Sequence, residues 1–359
     1  MIDLFYPFVP AEAIDAVSDV LRSRFIGQGP KVDKFEKLFK EHFNIKYCVA
    51  LNSGTAALDT AYEMIGIKPG DEVISTPLTC TATNLSLLRL GAKIVWADIL
   101  KDTLCIDPTD VRRKITDKTK AIVQVHLGGM KADVGYCYTP DGKPLPVVSD
   151  ACQGLGIFNG TYTCCSFQAI KQITTIDGGM IVLNGPEQEH QAKLMRWFGI
   201  DRERKIKNNW QAYKERKMTF DIELLGGKRH MNDVAAAMGI IGLQHYEQQL
   251  WHREELFDLY QERLADEPGI KLLNCPGNKF WLCTALVERR DDFARMLYEA
   301  DVDTNVVQVR NDIYKIFGGV RENLPVMNEL EEKYISLPIG MHVDPDQVNY
   351  ICDCIVEGW

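Results

Sequence analysis

The sequence predicts an α/β protein: a mostly parallel central sheet with helices on both faces, followed by a smaller α+β domain. Three observations carry that expectation. Short apolar runs alternate with helix-forming stretches over the first two thirds of the chain, and such alternation means a parallel sheet covered on both faces. The character then changes: residues 231–264 form a long helix-forming stretch with no proline and two interior glycines. Finally, 359 residues with 46% hydrophobic and 25% charged side chains exceed one ordinary domain and can bury a large core. The expected division is 1–245 and 246–359, with residues 1–25 or so packing on the smaller part.

The elements follow in order. KYCVAL (46–51) reads as a strand, and AALDTAYEMIGI after Ser53-Gly54-Thr55 has helical spacing. DEVIST (71–76) is a strand closed by Pro77. TATNLSLLRLGA (81–92) is a helix with a glycine stop. AKIVWADI (92–99), TKAIVQVHL (119–127) and PVVSDA (146–151) are strands, with a short helix at DVRRKI (110–115). GYCYTPDGKPLP (135–146) reads as a turn around Thr139-Pro140-Asp141-Gly142. Residues 231–264 fit two helices or one kinked helix. KFWLCTALV (279–287) is a strand and DDFARMLYEA (291–300) a helix. Asp344-Pro345 opens a terminal helix.

Charge and cysteine content narrow the function. Lys+Arg is 41 and Asp+Glu is 50, for a net charge of −9, which argues against binding nucleic acid by general charge. No apolar run approaches the ~18 residues of a membrane span, and MIDLFYPFVP lacks the basic start of a signal peptide. The 11 cysteines include no C-x-x-C and no zinc-like Cys/His spacing. They read as reduced, mostly buried thiols of a cytoplasmic protein, with no metal site. The basic stretch 201–217 has two readings: a solvated loop, or a lid that meets a diphosphate.

Four features, far apart in sequence, point to one chemistry. Ser53-Gly54-Thr55-Ala56 lies at a strand-to-helix junction, where free backbone N–H groups favour an anion. Asp150 ends the strand PVVSD, at the sheet edge where ligands bind in open α/β folds; alone it could simply cap a helix. Ser166 and Lys171 stand in CSFQAIK before Thr174-Thr175 and Asp177-Gly178-Gly179. Gly226-Gly227-Lys228-Arg229 precedes the long helical stretch. Together they supply what a pyridoxal phosphate enzyme needs: an acid for the pyridine nitrogen, a lysine amine for the aldehyde, and amides with a hydroxyl for the phosphate.

These residues lie in a longer ordered set of motifs. They include GQGPKVDKFE (27–36), NSGTAAL (52–58), PGDEVIST (69–76), TATN (81–84), SDACQ (149–153), SFQAIKQITTIDGGM (166–180), LMRWFGIDR (194–202) and SLPIGMHVDPDQV (336–348). The set resembles the DegT/StrS family of sugar-nucleotide aminotransferases, which have the fold type I architecture of pyridoxal phosphate transferases. The resemblance covers nearly the whole chain. It implies Lys171 at the Schiff-base position, Asp150 at the pyridine nitrogen and Gln153 by the ring. It implies phosphate ligands at Ser166 and at the Gly54-Thr55-Ala56 turn, chiefly the amides of Thr55 and Ala56. It places Lys228 in a segment that reaches the neighbouring subunit's phosphate, hence a homodimer with shared active sites. The implied reaction moves an amino group from L-glutamate to a keto sugar on a nucleoside diphosphate, with pyridoxamine phosphate as the intermediate cofactor form.

Three departures from the family pattern stand out. Cys80 occupies the place where the family usually stacks an aromatic on the cofactor. The stretch from Asp150 to Ser166 is short, and a turn replaces the usual helix at 135–146. On the substrate side, His126 either lines the sugar pocket or is a satisfied strand-end histidine. Arg310 either meets a phosphate or the donor carboxylate, or sits in a surface turn. Trp197 and Phe198 either pack in the core or stack on the sugar. Two other functions stay open: a nucleotide-sugar 3-dehydratase, whose relatives typically carry His at the Schiff-base position, and a non-catalytic cofactor-binding regulator.

Overall fold

The computed structural model describes residues 1–201, 222 and 224–359. The basic stretch, apart from Asp201, lies outside the described residues. Ten strands are described. β1 (Tyr47–Leu51), β2 (Glu72–Ser75), β3 (Lys93–Trp96), β4 (Thr119–Val125), β5 (Val147–Asp150), β6 (Tyr162–Ser166) and β7 (Gly179–Leu183) form the larger sheet. Its order is β1-β7-β6-β5-β4-β2-β3. All neighbours pair in parallel except β7, which is antiparallel to both β1 and β6. The exception has a physical reason. A parallel return needs a crossover, usually helical, whereas an antiparallel neighbour needs only a loop. The loop 167–178 between β6 and β7 contains no regular helix, and it carries Lys171.

Strands β1, β2, β5 and β7 are buried on both faces, so they read as largely continuous apolar runs rather than alternating ones. Val49 and Leu51 pack on one face with Ala57, Leu58 and Ala61 of helix α3 (Gly54–Ile65). Cys48 and Ala50 face the other way, onto Phe35 and Phe39 of α2 (Pro30–His42). That is the two-residue period of a strand between two helical layers. Asp233 locks the second layer: its carboxylate accepts from the amides of Gly29, Lys31 and Val32 at 2.8–3.1 Å. An acidic side chain thereby satisfies the orphan donors at the start of α2.

α4 (Thr81–Arg89) stops three residues before the predicted end, and Gly91 takes a left-handed φ of +74° in the turn that follows. The long stretch resolves into two helices, α7 (Asp233–Gln244) and α8 (Tyr246–Arg263), broken at His245 (φ −100°, ψ 2°) without proline. α5 (Pro108–Lys114) and α6 (Pro186–Met195) complete the larger part. The turn at 135–146 is a small hairpin with a Tyr138–Pro144 bridge.

A second sheet follows, β10 (Tyr334–Leu337), β9 (Cys283–Val287) and β8 (Ile270–Leu272), antiparallel throughout. It packs with α8, α9 (Arg290–Glu299) and the terminal α11 (Pro345–Val356), while α10 (Pro325–Leu330) lies between the last two in the chain. A capping box of Asp344 and Gln347 starts α11. The strand predicted over 279–287 begins only at Cys283. Lys279 and Leu282 instead donate their amides to Gly129 and Gly128, both 2.9 Å away. Residues 2–4 run beside 301–303, whereas α1 (Ala11–Ser23) packs on α7. Among the described residues no helix is long and apolar enough to cross a membrane, and all 11 cysteines are free thiols, seven of them buried.

Candidate active site

The C-terminal ends of β1, β2, β5 and β6 meet at one edge of the sheet. There a cleft of about 430 Å³ opens, within the usual range for small-molecule sites. Ser53, Gly54, Thr55, Cys80, Asp150, Gln153, Ser166 and Lys171 all line it. A larger hollow of about 610 Å³ lies by α2 and α6. Its charged centre is already satisfied, since Glu36 accepts from the Ala50 amide at 2.8 Å and from Arg196 at 2.6 Å.

The anion end is built from α3 and β6. Ser53 caps the helix, its Oγ accepting from the Ala56 amide at 3.0 Å. The Ala56 donor is therefore engaged by the cap, and Ala56 is not among the residues lining the cleft. Gly54 is required by space rather than by φ. A Cβ there would stand 2.8 Å from Ser166 Cβ and 2.9 Å from Cys152 Sγ, so only glycine lets the helix start come this close to β6.

The acid end is Asp150, 3% exposed. Its Oδ2 accepts from Thr83 Oγ1 at 2.7 Å and its Oδ1 from the Cys152 amide at 3.1 Å. Thr79 Oγ1 lies 2.9 Å behind Thr83 Oγ1. Gln153 is held by the Gly128 amide, which donates to its Oε1 at 2.8 Å. Burial, and after it the Asp150 carboxylate, push the Cys152 thiol well up.

Lys171 is half-buried as a residue, but its amine is enclosed. Burial depresses the ammonium to about 8, against a weaker opposing pull from Cys152, Cys80 and Asp150. The set fits pyridoxal phosphate: an amine poised near neutrality, a buried carboxylate held by two donors, and a helix start whose glycine leaves room for a close approach.

Besides Ala56, three predicted residues sit elsewhere. His126 does not line the cleft. It is fully buried, its Nδ1 accepts from the Ala132 amide at 3.0 Å, and its Nε2–H therefore donates to Ser149 Oγ at 2.6 Å. Burial pushes its pKa down to about 3, so it is a neutral structural group and the sugar-pocket reading is corrected. Arg310 is corrected as well: it is neither a surface residue nor open to substrate. It is 2% exposed and forks onto Asp312 at 2.8 and 2.6 Å, with Glu331 and Asn328 each 2.6 Å away. Lys228 is exposed and lies outside this chain's cleft, although its carbonyl accepts from Asn52 Nδ2 at 3.3 Å beside the anion end.

Motif reading missed Phe5, Thr83, Asp177, Trp281 and Gln308, which also line the cleft. Thr83 was in reach, because it stands within TATN. Trp281 and Phe5 come from segments with no motif of their own.

The pattern of the DegT/DnrJ/EryC1/StrS aminotransferase family matches residues 8–356. A dTDP-4-dehydro-2,3,6-trideoxy-D-glucose 4-aminotransferase of Saccharopolyspora spinosa is 30% identical, over 98% of this chain and 95% of that protein. The crystal structure of the sugar aminotransferase CalS13 from Micromonospora echinospora superposes with a TM-score of 0.90 at 28% identity, over 100% of both chains. The PLP form of Spr1654 from Streptococcus pneumoniae has a TM-score of 0.87 at 25% identity, over 99% of this chain and 97% of that one.

Proposed function

The chain belongs to the DegT/DnrJ/EryC1/StrS aminotransferase family, and from that premise we propose that it transfers an amino group from L-glutamate to the keto sugar of a nucleoside-diphosphate sugar. The observation that carries this reading is the meeting of Lys171, Asp150 and the start of α3 around one cleft. Pyridoxal phosphate, when bound, supplies the electron sink that makes a carbon next to an amine acidic.

The chain's own residues do the rest. Lys171 Nζ would hold the cofactor through its aldehyde, and as a free amine it would be the base and acid that moves the proton at the reacting carbon. Its burial suits both tasks, because an amine near 8 is partly unprotonated at neutral pH. Asp150, oriented by Thr83 and the Cys152 amide, would keep a proton on the pyridine nitrogen. The Thr55 amide, the α3 dipole and Ser166 hold the phosphate. Gln153 orients the ring from its bond to Gly128. Cys80, which lines the cleft, would offer a bound ring less contact area than an aromatic. Lys228 reaches the phosphate of a second subunit, so the working form is a homodimer. The smaller part, 246–359, contributes the wall above Lys171. Arg310 is already paired and takes no part in holding the donor carboxylate.

The test is the visible spectrum of the purified protein with cofactor, before and after L-glutamate. Conversion of the lysine-bound band to that of pyridoxamine phosphate, with 2-oxoglutarate released, is expected. A band that no amino donor converts overturns the transfer reaction.

A further inference from the structure

One contact in the cleft is explained by no motif. Lys171 Nζ stands 3.4 Å from the centroid of the Trp281 ring, well within the range at which an aromatic face attracts a cation. The ring is fixed on several sides. Trp281 is 2% exposed, and its Nε1–H donates to the carbonyl of Ile170 at 3.0 Å. Ile170 directly precedes Lys171, so the indole is tied to the lysine's own backbone. Phe5 stacks against the indole, with centroids 5.7 Å apart and planes 25° apart. Phe5 is brought there by residues 2–4 bonding to 301–303. The Trp281 backbone is pinned in turn by the bonds of Lys279 and Leu282 to Gly129 and Gly128. Gly129 has φ +104°, and a Cβ on it would meet Phe280 N at 2.8 Å, so this approach depends on glycine.

We propose that Trp281 is a positioning residue for Lys171, its face holding the free ammonium in the cleft and Phe5 bracing the ring. The proposal rests on the reading of Lys171 as the cofactor-binding amine. The titratable neighbours that face this amine are Cys80 before α4, Asp150 at the end of β5 and Cys152 in the loop after it; Asp177 lines the same cleft. Of these, Asp150 is already bonded to Thr83 and the Cys152 amide. The indole therefore supplies attraction for the ammonium without adding a second buried carboxylate. When the amine leaves the cofactor it keeps a defined resting place within reach of it.

The experiment uses the full chain freed of cofactor. Lys171 is labelled competitively with acetic anhydride across the pH range in which it titrates, and its peptide is quantified by mass spectrometry. Trp281→Leu keeps the site apolar but removes the ring face. Its Lys171 midpoint is expected about one pH unit below wild type, exposing up to about tenfold more free amine on the acid side. Trp281→Phe restores most of the midpoint, and Phe5→Ala shifts it in the same direction as Leu but less. If Trp281→Leu does not fold, Trp281→Met makes the same comparison with a flexible apolar filler. Leu (or Met) and Phe variants that titrate alike, or a midpoint that stays or rises without the ring, overturn the proposal. Prior treatment with pyridoxal phosphate and borohydride separates the two readings. Protection of Lys171 with unchanged midpoints sinks only the role of Trp281, whereas absence of protection in wild type sinks the functional reading beneath it.

Discussion

Asn84 and Asn311 stand 227 positions apart in the chain, yet Asn84 Nδ2 donates to Asn311 Oδ1 at 2.9 Å. Both are fully buried. Asn311 also donates to the Thr79 carbonyl at 2.9 Å, and its amide donates to the Pro77 carbonyl at 2.7 Å. The pair thereby ties the loop ending in Cys80 to the chain just after Asn305, Val307 and Gln308, so two walls of the cleft are hydrogen-bonded together.

Asn311→Ala leaves the Asn84 amide and the Thr79 carbonyl without their partner, a cost of about 1–3 kcal/mol. Cofactor affinity is expected to fall by tenfold or more, because the Cys80 wall loosens. Absorbance titration of the protein with pyridoxal phosphate measures it, and an unchanged dissociation constant would refute the coupling.

Thr83→Val keeps the shape but removes the hydroxyl that donates to Asp150 at 2.7 Å. Turnover is expected to fall about tenfold or more, equivalent to ~1.4 kcal/mol of barrier, with little change in melting temperature. Single-turnover kinetics with L-glutamate check this, and a wild-type rate would show that Asp150 needs no such support.

Lys171 sets a pH dependence with a defined sign. Its ammonium is depressed to about 8 from 10.5 by burial, so between those values the unfolded chain binds more protons than the folded one. Stability of the cofactor-free protein therefore rises with pH across that window and is lowest below about 8. Lys171→Met removes the penalty, so the variant should be more stable near neutrality by on the order of 2–3 kcal/mol while losing all turnover. Urea melts at several pH values test both parts; a variant less stable than wild type at neutral pH contradicts the assignment.

His126 acts in the opposite pH range. Held neutral down to about 3 by burial, it makes folding less favourable as pH falls from about 6.5 towards 3, while the unfolded chain takes up a proton. His126→Leu should flatten that acid limb. It should also cost about 1–3 kcal/mol at neutral pH, since the Ala132 amide and Ser149 lose their partner. KM for the amino donor should not move; a large rise in it would return His126 to the substrate pocket.

Cys80 is the exposed thiol among the eleven, and it lines the cleft. Iodoacetamide is expected to modify it first, and bound pyridoxal phosphate to slow that modification severalfold. Peptide mapping after brief alkylation reads the order, and a rate at Cys80 indifferent to cofactor would remove it from the ring's border.

Motifs that follow a strand were legible because the chemistry and the chain turn there together. Gly54, Asp150, Ser166 and Lys171 each sit at or just past the C-terminal end of a strand, and reading the strands located them. Helices α1, α2 and α6 and strands β7, β8 and β10 were not read as elements, and β9 was read as starting four residues early. β7 follows a loop rather than a helix, and residues 279–282 spend their hydrogen bonds on Gly128-Gly129. Both readings of Arg310 and the sugar-pocket reading of His126 fail for one reason. A buried polar side chain looks in sequence like a ligand-binding one, and only its partners reveal that it is already satisfied.

By itself the sequence determined the α/β layering and the order of the cofactor-type motifs, Lys171 among them. Apolar periodicity and turn chemistry are local, and each is written in a few neighbouring residues. The tertiary structure alone decided which side chains share the cleft. Trp281 reaches Lys171, Asn311 reaches Asn84 and Phe5 reaches Trp281 through contacts between segments distant in the chain. Such contacts depend on how two sheets and their helices pack, which no short window of sequence contains.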